Sequence, residues 1–512
     1  MIRTASFTRA FLETGPPVWL LTIVMIVLQG NERGLSQIFV FFIPLWGALR
    51  LNQPDIPFLA QLEYTFKFCL AHITAMLVVI YAAGFIFYTA GAISEPPSWA
   101  AFSNTVFSLM VTMFIPFFTV RGLLSLSDSF RKTGMLTDSS PEQGEEKGRI
   151  FAIDAVRGWV MVFMALDHAM YFCYVHIFAE GFQNLRPDPM PDTLHYLTRF
   201  VTHYCAPTFI FLAGTSVALY AISRRPYLTE RQITKTLATR GVLLIVLQMV
   251  IVNWVWGFAT KTGWSLIYFG VLACIGSGLI ILAFARRIPY PLVVIGSVTL
   301  LLVTPLLLNT FTVQPGVDQP VLEIFLQPDS EGWLSSYYPV LPWLGVMGLG
   351  YACGVVVGRR PEKTTRLFLA LGIILLVFWL LLRSGGGYGN LTVYQGRDWR
   401  DFMLMSKYPP SLVFLFWNLG GMSLAIAGHN YFKMRLPFKR LWDSIVLLGQ
   451  TPLFFYVVHL YLYRMLSLIP VLRGSLTAGY VAWLIGLMVM TILCRRYQAL
   501  QRAHPDSILK YI

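Results

Sequence analysis

Four ionisable side chains crowd one apolar stretch of the chain. They are Asp154 and Arg157 in Ile153-Asp-Ala-Val-Arg-Gly158, and Asp167 and His168 eleven residues on. Such groups are costly inside a long apolar run and mark sites there. On a helix Asp154 and Arg157 lie three apart, share a face and can pair. Arg157 and His168 are eleven apart, so they return to within about 20° of one face, about 16 Å farther along. One helix then presents a guanidinium towards one end and an imidazole towards the other, on the same side. An imidazole, with a pKa near neutrality, suits proton abstraction from a hydroxyl or amine. It could equally attack a thioester and carry the acyl group. Arg157, always charged, suits a phosphate or a thioester oxygen, with Asp154 holding it in place. The structural alternative is an ion pair and a core histidine. Asp167, 100° around the helix from His168, must meet another partner.

Other residues read less sharply. His203 opens the next apolar run and His459 lies late in another, so three imidazoles fall near one depth. His203 fits a helix-end hydrogen bond as well as catalysis. His459, between Tyr456 and Tyr461, reads as structural. Arg397-Asp-Trp-Arg-Asp401 is either a solvated charged loop or a contact for an anionic or sugar group. Tyr204, Trp254, Trp256, Trp264 and Trp343 sit where interfacial aromatic belts are expected. Gly385, Gly386 and Gly387 lack the strand and the Gly-Lys-Ser context of a phosphate loop. The six cysteines are scattered through apolar segments without a CxxC pair, so neither a metal site nor a disulfide framework is expected.

The elements that hold these residues must be membrane helices. Of 512 residues 56% are hydrophobic and 12% charged, with a mean hydropathy of +0.63. Soluble domains average about 25% charged residues, so the chain reads as an all-α polytopic integral membrane protein. A span needs about 20 apolar residues, and about fourteen runs qualify, arranged 4 + 10. The first four lie near 15–30, 35–51, 66–90 and 100–121. Ten more lie near 151–177, 198–222, 240–257, 264–285, 289–309, 338–358, 366–383, 409–429, 446–467 and 475–494. The domain reading is a four-helix amino-terminal block (1–124), a polar cytoplasmic linker (125–149) and a ten-helix body (150–512). The first run lacks a clear cleavage site, so it is taken as a retained helix.

The net charge of +14 sits mostly where topology would put it. Arg224-Arg225, Arg286-Arg287, Arg359-Arg360 and Arg495-Arg496 each follow a long apolar run, as lysines and arginines do in cytoplasmic loops. Both termini are then cytoplasmic and the membrane is the bacterial inner membrane. No basic stretch with interleaved aromatics lies outside the membrane, so nucleic acid is not expected as a partner.

Arg157-x10-His168 within Ile-Asp-Ala-Val-Arg-Gly resembles the signature of the transmembrane acyltransferase superfamily. The body is most similar to bacterial relatives of heparan-α-glucosaminide N-acetyltransferase. The likeness extends through Thr202-His203-Tyr-Cys-Ala-Pro207-Thr-Phe-Ile-Phe-Leu-Ala-Gly214, Leu341-Pro-Trp-Leu-Gly345, Lys407-Tyr-Pro-Pro-Ser411 and Leu448-Gly-Gln-Thr-Pro-Leu-Phe-Phe-Tyr456-Val-Val-His459. It implies transfer of an acyl, most simply acetyl, group from cytoplasmic acetyl-CoA or another acyl-CoA to a carbohydrate or lipid-linked glycan on the outer side. His168 matches the histidine of the superfamily motif and Arg157 its arginine; with Asp154 holding the arginine and His203 nearby, these four make the expected catalytic set. Arg157 would also bind the acyl-CoA, which is a donor substrate with no tightly held cofactor beside it. The lipid bilayer and a glycan or glycolipid acceptor are the other expected partners, and a homo-oligomer is left open. Two departures stand out. The first four helices have no counterpart in the core family, and the family's active histidine before the sixth span has none at the same spacing, His195 being nearest. The competing reading is a transporter or flippase of a polar metabolite or glycolipid, which would show paired broken helices in two inverted halves.

Overall fold

The protein is seen here in a computed structural model that describes residues 150–174, 192–256, 259–260, 263–264, 267–311, 319–329, 334–432 and 439–503. The four amino-terminal spans and the linker expected over 1–149 lie outside these residues.

The described chain is mostly helical. It runs α1 (Phe151–Cys173), α2 (Thr193–Thr202), α3 (Cys205–Arg224), α4 (Glu230–Leu247), a π turn (Gln248–Val252) and α5 (Asn253–Trp256). Short strands β1 (Ala259–Thr260), β2 (Gly263–Trp264) and β3 (Ile267–Phe269) precede α6 (Val271–Ala285) and α7 (Tyr290–Thr310). Then come α8 (Pro320–Phe325), β4 (Leu334–Ser336), α9 (Val340–Arg359), α10 (Thr364–Gly385) and α11 (Trp399–Phe402). The chain closes with α12 (Leu412–Phe432), α13 (Lys439–Gln450), α14 (Pro452–Leu466) and α15 (Leu476–Ala503).

Seven helical segments are long and apolar enough to cross a membrane, or eight if α13 and α14 form one span. α1 falls outside that set, because Asp154, Arg157, Asp167 and His168 interrupt its apolar run. Among the described residues, the helix that carries the candidate site is thus a long one too interrupted by charge to count as a span. α9 is 72% buried over its most apolar window and α10 only 17%. The first is a core helix, and the second turns Leu380, Leu381 and Phe378 outward, as a lipid-facing helix does.

Close helix approach is bought with glycine. A Cβ at Gly158 in α1 would lie 1.9 Å from the Ile445 carbonyl oxygen of α13, and one at Gly449 would lie 2.0 Å from that of Asp154. Across α3 and α9, Gly214 meets the Met347 carbonyl and Gly350 the Phe211 carbonyl in the same way, each at 1.9 Å. Only residues without a side chain permit these contacts, the small-residue packing common between membrane helices.

Three departures from the expected layout have local causes. α4 starts at Glu230, ten residues before the apolar run at 240, because Thr229 and Gln232 form a capping box. The span expected from 264 becomes helical only at Val271. Its first residues pair as β3 with β4 in parallel, Ile267 opposite Leu334 and Phe269 opposite Ser336. The span expected over 446–467 is broken between Gln450 and Pro452 with a bend of 94°. Proline at the first position of α14 forbids a continuous ladder there.

Candidate active site

The group near the start of α1 is built around that break. The last carbonyls of a helix lack partners within it, and Arg157 Nη1 donates to the Gly449 carbonyl of α13 at 3.0 Å. The same nitrogen donates to Asp154 Oδ1 at 3.1 Å, and Nη2 to Ser216 Oγ of α3 at 3.4 Å. Asp154 is buried, and Gln450 Nε2 approaches its other oxygen at 3.5 Å. Gln450 in turn accepts from Gln498 of α15 at 2.9 Å. The expected Asp154–Arg157 pair is present, and it ties α1 to α3, α13 and α15.

Seventeen residues into α1, about 25 Å from its start, lies a second group. His168 Nδ1 is 2.7 Å from His459 Nε2. His459 is fully buried, and its Nδ1 donates to the Phe455 carbonyl one turn back in α14 at 2.7 Å. The two imidazoles lie 4.9 Å apart between centroids, and Trp256 of α5 packs edge-on against His168 at 5.2 Å. The π turn that leads to Trp256 is braced from α14: the Tyr461 hydroxyl donates to the Ile251 carbonyl at 2.7 Å.

Asp167, on the neighbouring face, meets the partner its angle required. It accepts from Arg199 of α2, and the Thr202 hydroxyl lies 2.9 Å from the same carboxylate oxygen. The ammonium of Lys407, buried in the turn before α12, acts electrostatically on both Asp167 and His168. That turn sits among Tyr268, Tyr337, Tyr338 and Tyr408, whose rings contact one another at 5.5–5.8 Å.

Of the three histidines placed at one depth, two meet. His203 is buried where α2 passes into α3, with its ring against Phe200 and Phe414. The rings against His168 are Trp256 and His459. His195, at the start of α2, shares a hydrogen bond between its Nε2 and the Tyr174 hydroxyl at 2.8 Å. Its Nδ1 lies within ion-pairing distance of Asp192, 2.9 Å, without hydrogen-bond alignment. Asp192 also caps α2 by accepting from the His195 backbone N–H, and that bond holds its exposed carboxyl below the usual carboxylate range.

The charged pentapeptide 397–401 is ordered by a buried neighbour. Arg383 at the end of α10 donates to the carbonyls of Phe402, Thr392, Asp401 and Leu404 and to Asn390 Oδ1, all at 2.6–3.0 Å. Asp401 accepts from the Gln395 backbone at 2.8 Å, and Asp398 caps α11. Among the described residues no group of three or more His, Cys, Asp or Glu side chains is placed to hold a metal ion.

A family model described as heparan-alpha-glucosaminide N-acetyltransferase, catalytic, matches residues 149–385. Residues 149–385, somewhat under half of the chain, are similar to that family. The match covers α1, α3 and α9, and with them Asp154, Arg157, Asp167, His168 and His203. The acetyltransferase-family region stops short of Lys407 and His459, which the fold nonetheless brings to His168. No curated protein matches the chain. Arg199, Lys407 and Trp256 were not expected at the site. Lys407 stood in the sequence only as part of the Lys407-Tyr-Pro-Pro-Ser411 likeness and Trp256 only as an interfacial aromatic, while Arg199 is an arginine at the edge of an apolar span.

Proposed function

We propose that the chain transfers an acetyl group from acetyl-CoA, held from the cytoplasmic side, to a hydroxyl or amine of a carbohydrate or lipid-linked glycan at the outer side of the bacterial inner membrane. The observation that carries this reading is the shared face of α1: Arg157 sits at its inner end, and His168 stands eleven residues on within a polar outer cluster. Both lie in the acetyltransferase-family region.

In this reading Arg157 takes a phosphate or carbonyl oxygen of the donor, and Asp154 fixes the guanidinium. The acyl-bearing arm must cover the roughly 16 Å that separate the two residues along the helix. His168 removes the proton from the acceptor oxygen or nitrogen as it attacks the thioester carbonyl carbon. The new C–O or C–N bond forms, the C–S bond breaks, and coenzyme A leaves as a thiolate that takes up the proton. General-base assistance of this kind contributes about 10²–10⁴-fold. Lys407 and Arg199, with Asp167 between them, supply positive charge where the carbonyl oxygen becomes anionic. His203 is assigned the lesser part, bracing the α2–α3 junction against Phe200 and Phe414.

The competing transporter reading draws on broken helices. Among the described residues one bent pair occurs, and Arg157 occupies its break. The test is acetyl-CoA binding and acetyl transfer by the purified protein. His168→Ala is expected to abolish transfer while leaving acetyl-CoA binding and folding intact. Full transfer by that variant would remove His168 from the chemistry, and no acetyl-CoA binding at millimolar concentration would favour transport.

A further inference from the structure

The Phe455 carbonyl can only accept a hydrogen bond, and this fact propagates through the histidine pair. His459 Nδ1, 2.7 Å from that carbonyl, must carry the proton. In a neutral imidazole the other nitrogen then holds a lone pair, so His459 Nε2 is an acceptor. The atom 2.7 Å away is His168 Nδ1, which must therefore carry its own proton. His168 Nε2 is left holding the lone pair at the end of the chain. The direction of the whole chain is set by one backbone oxygen, with α14 supplying both the oxygen and the first imidazole.

We propose that His459 is a positioning residue that fixes the tautomer and ring orientation of His168, so that His168 Nε2 faces the acceptor as the base. The proposal rests on the reading of His168 as the base. It assigns a task to a residue that lies 74 positions beyond the end of the family match at 385 and that reads from sequence as structural. The arrangement matches the logic by which a histidine's second nitrogen is set by the bond its first one makes. The pair is also well defended. His459 is fully buried, with Phe455 stacked at 5.1 Å and Tyr463 edge-on at 6.1 Å. Trp256 holds His168 from another side. Neither ring can turn without breaking these contacts.

Glutamine and leucine separate this role from simple packing. A glutamine in place of His459 can put its amide oxygen where Nε2 stood and accept from His168, whereas a leucine there fills the space and accepts nothing. With acetyl-CoA as donor and glucosamine as the acceptor probe, His459→Leu is expected to lower kcat by about 10²-fold, with KM for acetyl-CoA unchanged. His459→Gln should recover transfer to within about tenfold of the unsubstituted protein. A second measurement needs no acceptor. In full-length protein carrying ¹⁵N-labelled histidine, with His168 assigned by difference against His168→Asn, the Nδ1 resonance is expected to report a bound proton. It should keep that proton in His459→Gln and lose the single tautomer in His459→Leu. A wild-type His168 protonated at Nε2 would overturn the proposal. So would normal kcat in His459→Leu alongside an inactive His168→Ala. If His168→Ala itself keeps full transfer, the base assignment fails, and the ¹⁵N spectrum still reports separately whether His459 orders the ring.

Discussion

At the residue scale the decisive feature is how the charges in α1 are neutralised. Asp167 and Arg199 are both largely removed from solvent, with 20% and 15% of their side chains exposed. Removing one member leaves the other without its charge partner, which is costly away from water. Asp167→Ala is expected to lower stability in detergent by about 1–3 kcal/mol, read as a drop in thermal midpoint. Adding Arg199→Ala should cost less than the sum of the two single changes, because the pair is already broken. Additive losses would show that the contact contributes nothing. The spacing 154, 157, 168 was legible because a helix repeats every 3.6 residues and charges stand out in an apolar run. The partners were not. Arg199, Lys407 and His459 are separated from His168 by 31, 239 and 291 positions, and no local period links them. His459 in particular looked like a satisfied core histidine, which it also is: its Nδ1 bonds the carbonyl one turn back. What raised its standing was the free nitrogen's neighbour, a tertiary fact.

At the element scale, helix ends and helix breaks do the positioning. The capping box at Thr229 was present in the sequence as Thr-x-x-Gln, yet α4 was expected to begin at the apolar run ten residues later. Hydropathy marks the membrane part of a helix, whereas caps mark its start. The break between α13 and α14 was signalled by Thr451-Pro452, but a continuous span outweighed it because the flanking runs are apolar. The glycine contacts behind the break were invisible, since a glycine's value there depends on the neighbouring helix. Gly449→Ala would push a methyl group to 2.0 Å from the Asp154 carbonyl. It should lower the thermal midpoint by the equivalent of about 1–3 kcal/mol and weaken acetyl-CoA binding with Arg157 displaced. Unchanged binding would separate the helix contact from the donor site. α2 makes a different prediction. The folded pKa of Asp192 lies below its unfolded value, so its cap is complete above the ordinary carboxylate range and is lost as pH falls through the lower, folded value. Protection of the His195 amide against hydrogen exchange is expected to hold through the ordinary carboxylate range and to fall only at more acid pH. Asp192→Asn should remove that pH dependence.

For the whole molecule the argument is about sides. Arg224, Arg225, Arg286, Arg287, Arg359, Arg360 and Lys363 all fall where α3, α6 and α9 end or where the next helix begins. If successive spans alternate in direction, these ends share one side with the start of α1, where Arg157 lies. The opposite side holds the connection from α7 to α9, which carries no lysine or arginine, and the loop ordered by Arg383. Under the proposed function, a cytoplasmic excess of basic residues would put Arg157 on the side of cytoplasmic acetyl-CoA and His168 towards the outside. If the molecule sat the other way round, the donor would have to enter past His168, and Arg157 would have no part in receiving it. Single cysteines decide between the two. Tyr227, in the turn after α3, and Val393, in the loop after α10, are 63% and 61% exposed, while the described native cysteines are buried or half-buried. In intact cells Val393→Cys is expected to react with a membrane-impermeant maleimide, and Tyr227→Cys only after permeabilisation. The reverse pattern would invert the topology, and with it the route by which donor and acceptor reach α1.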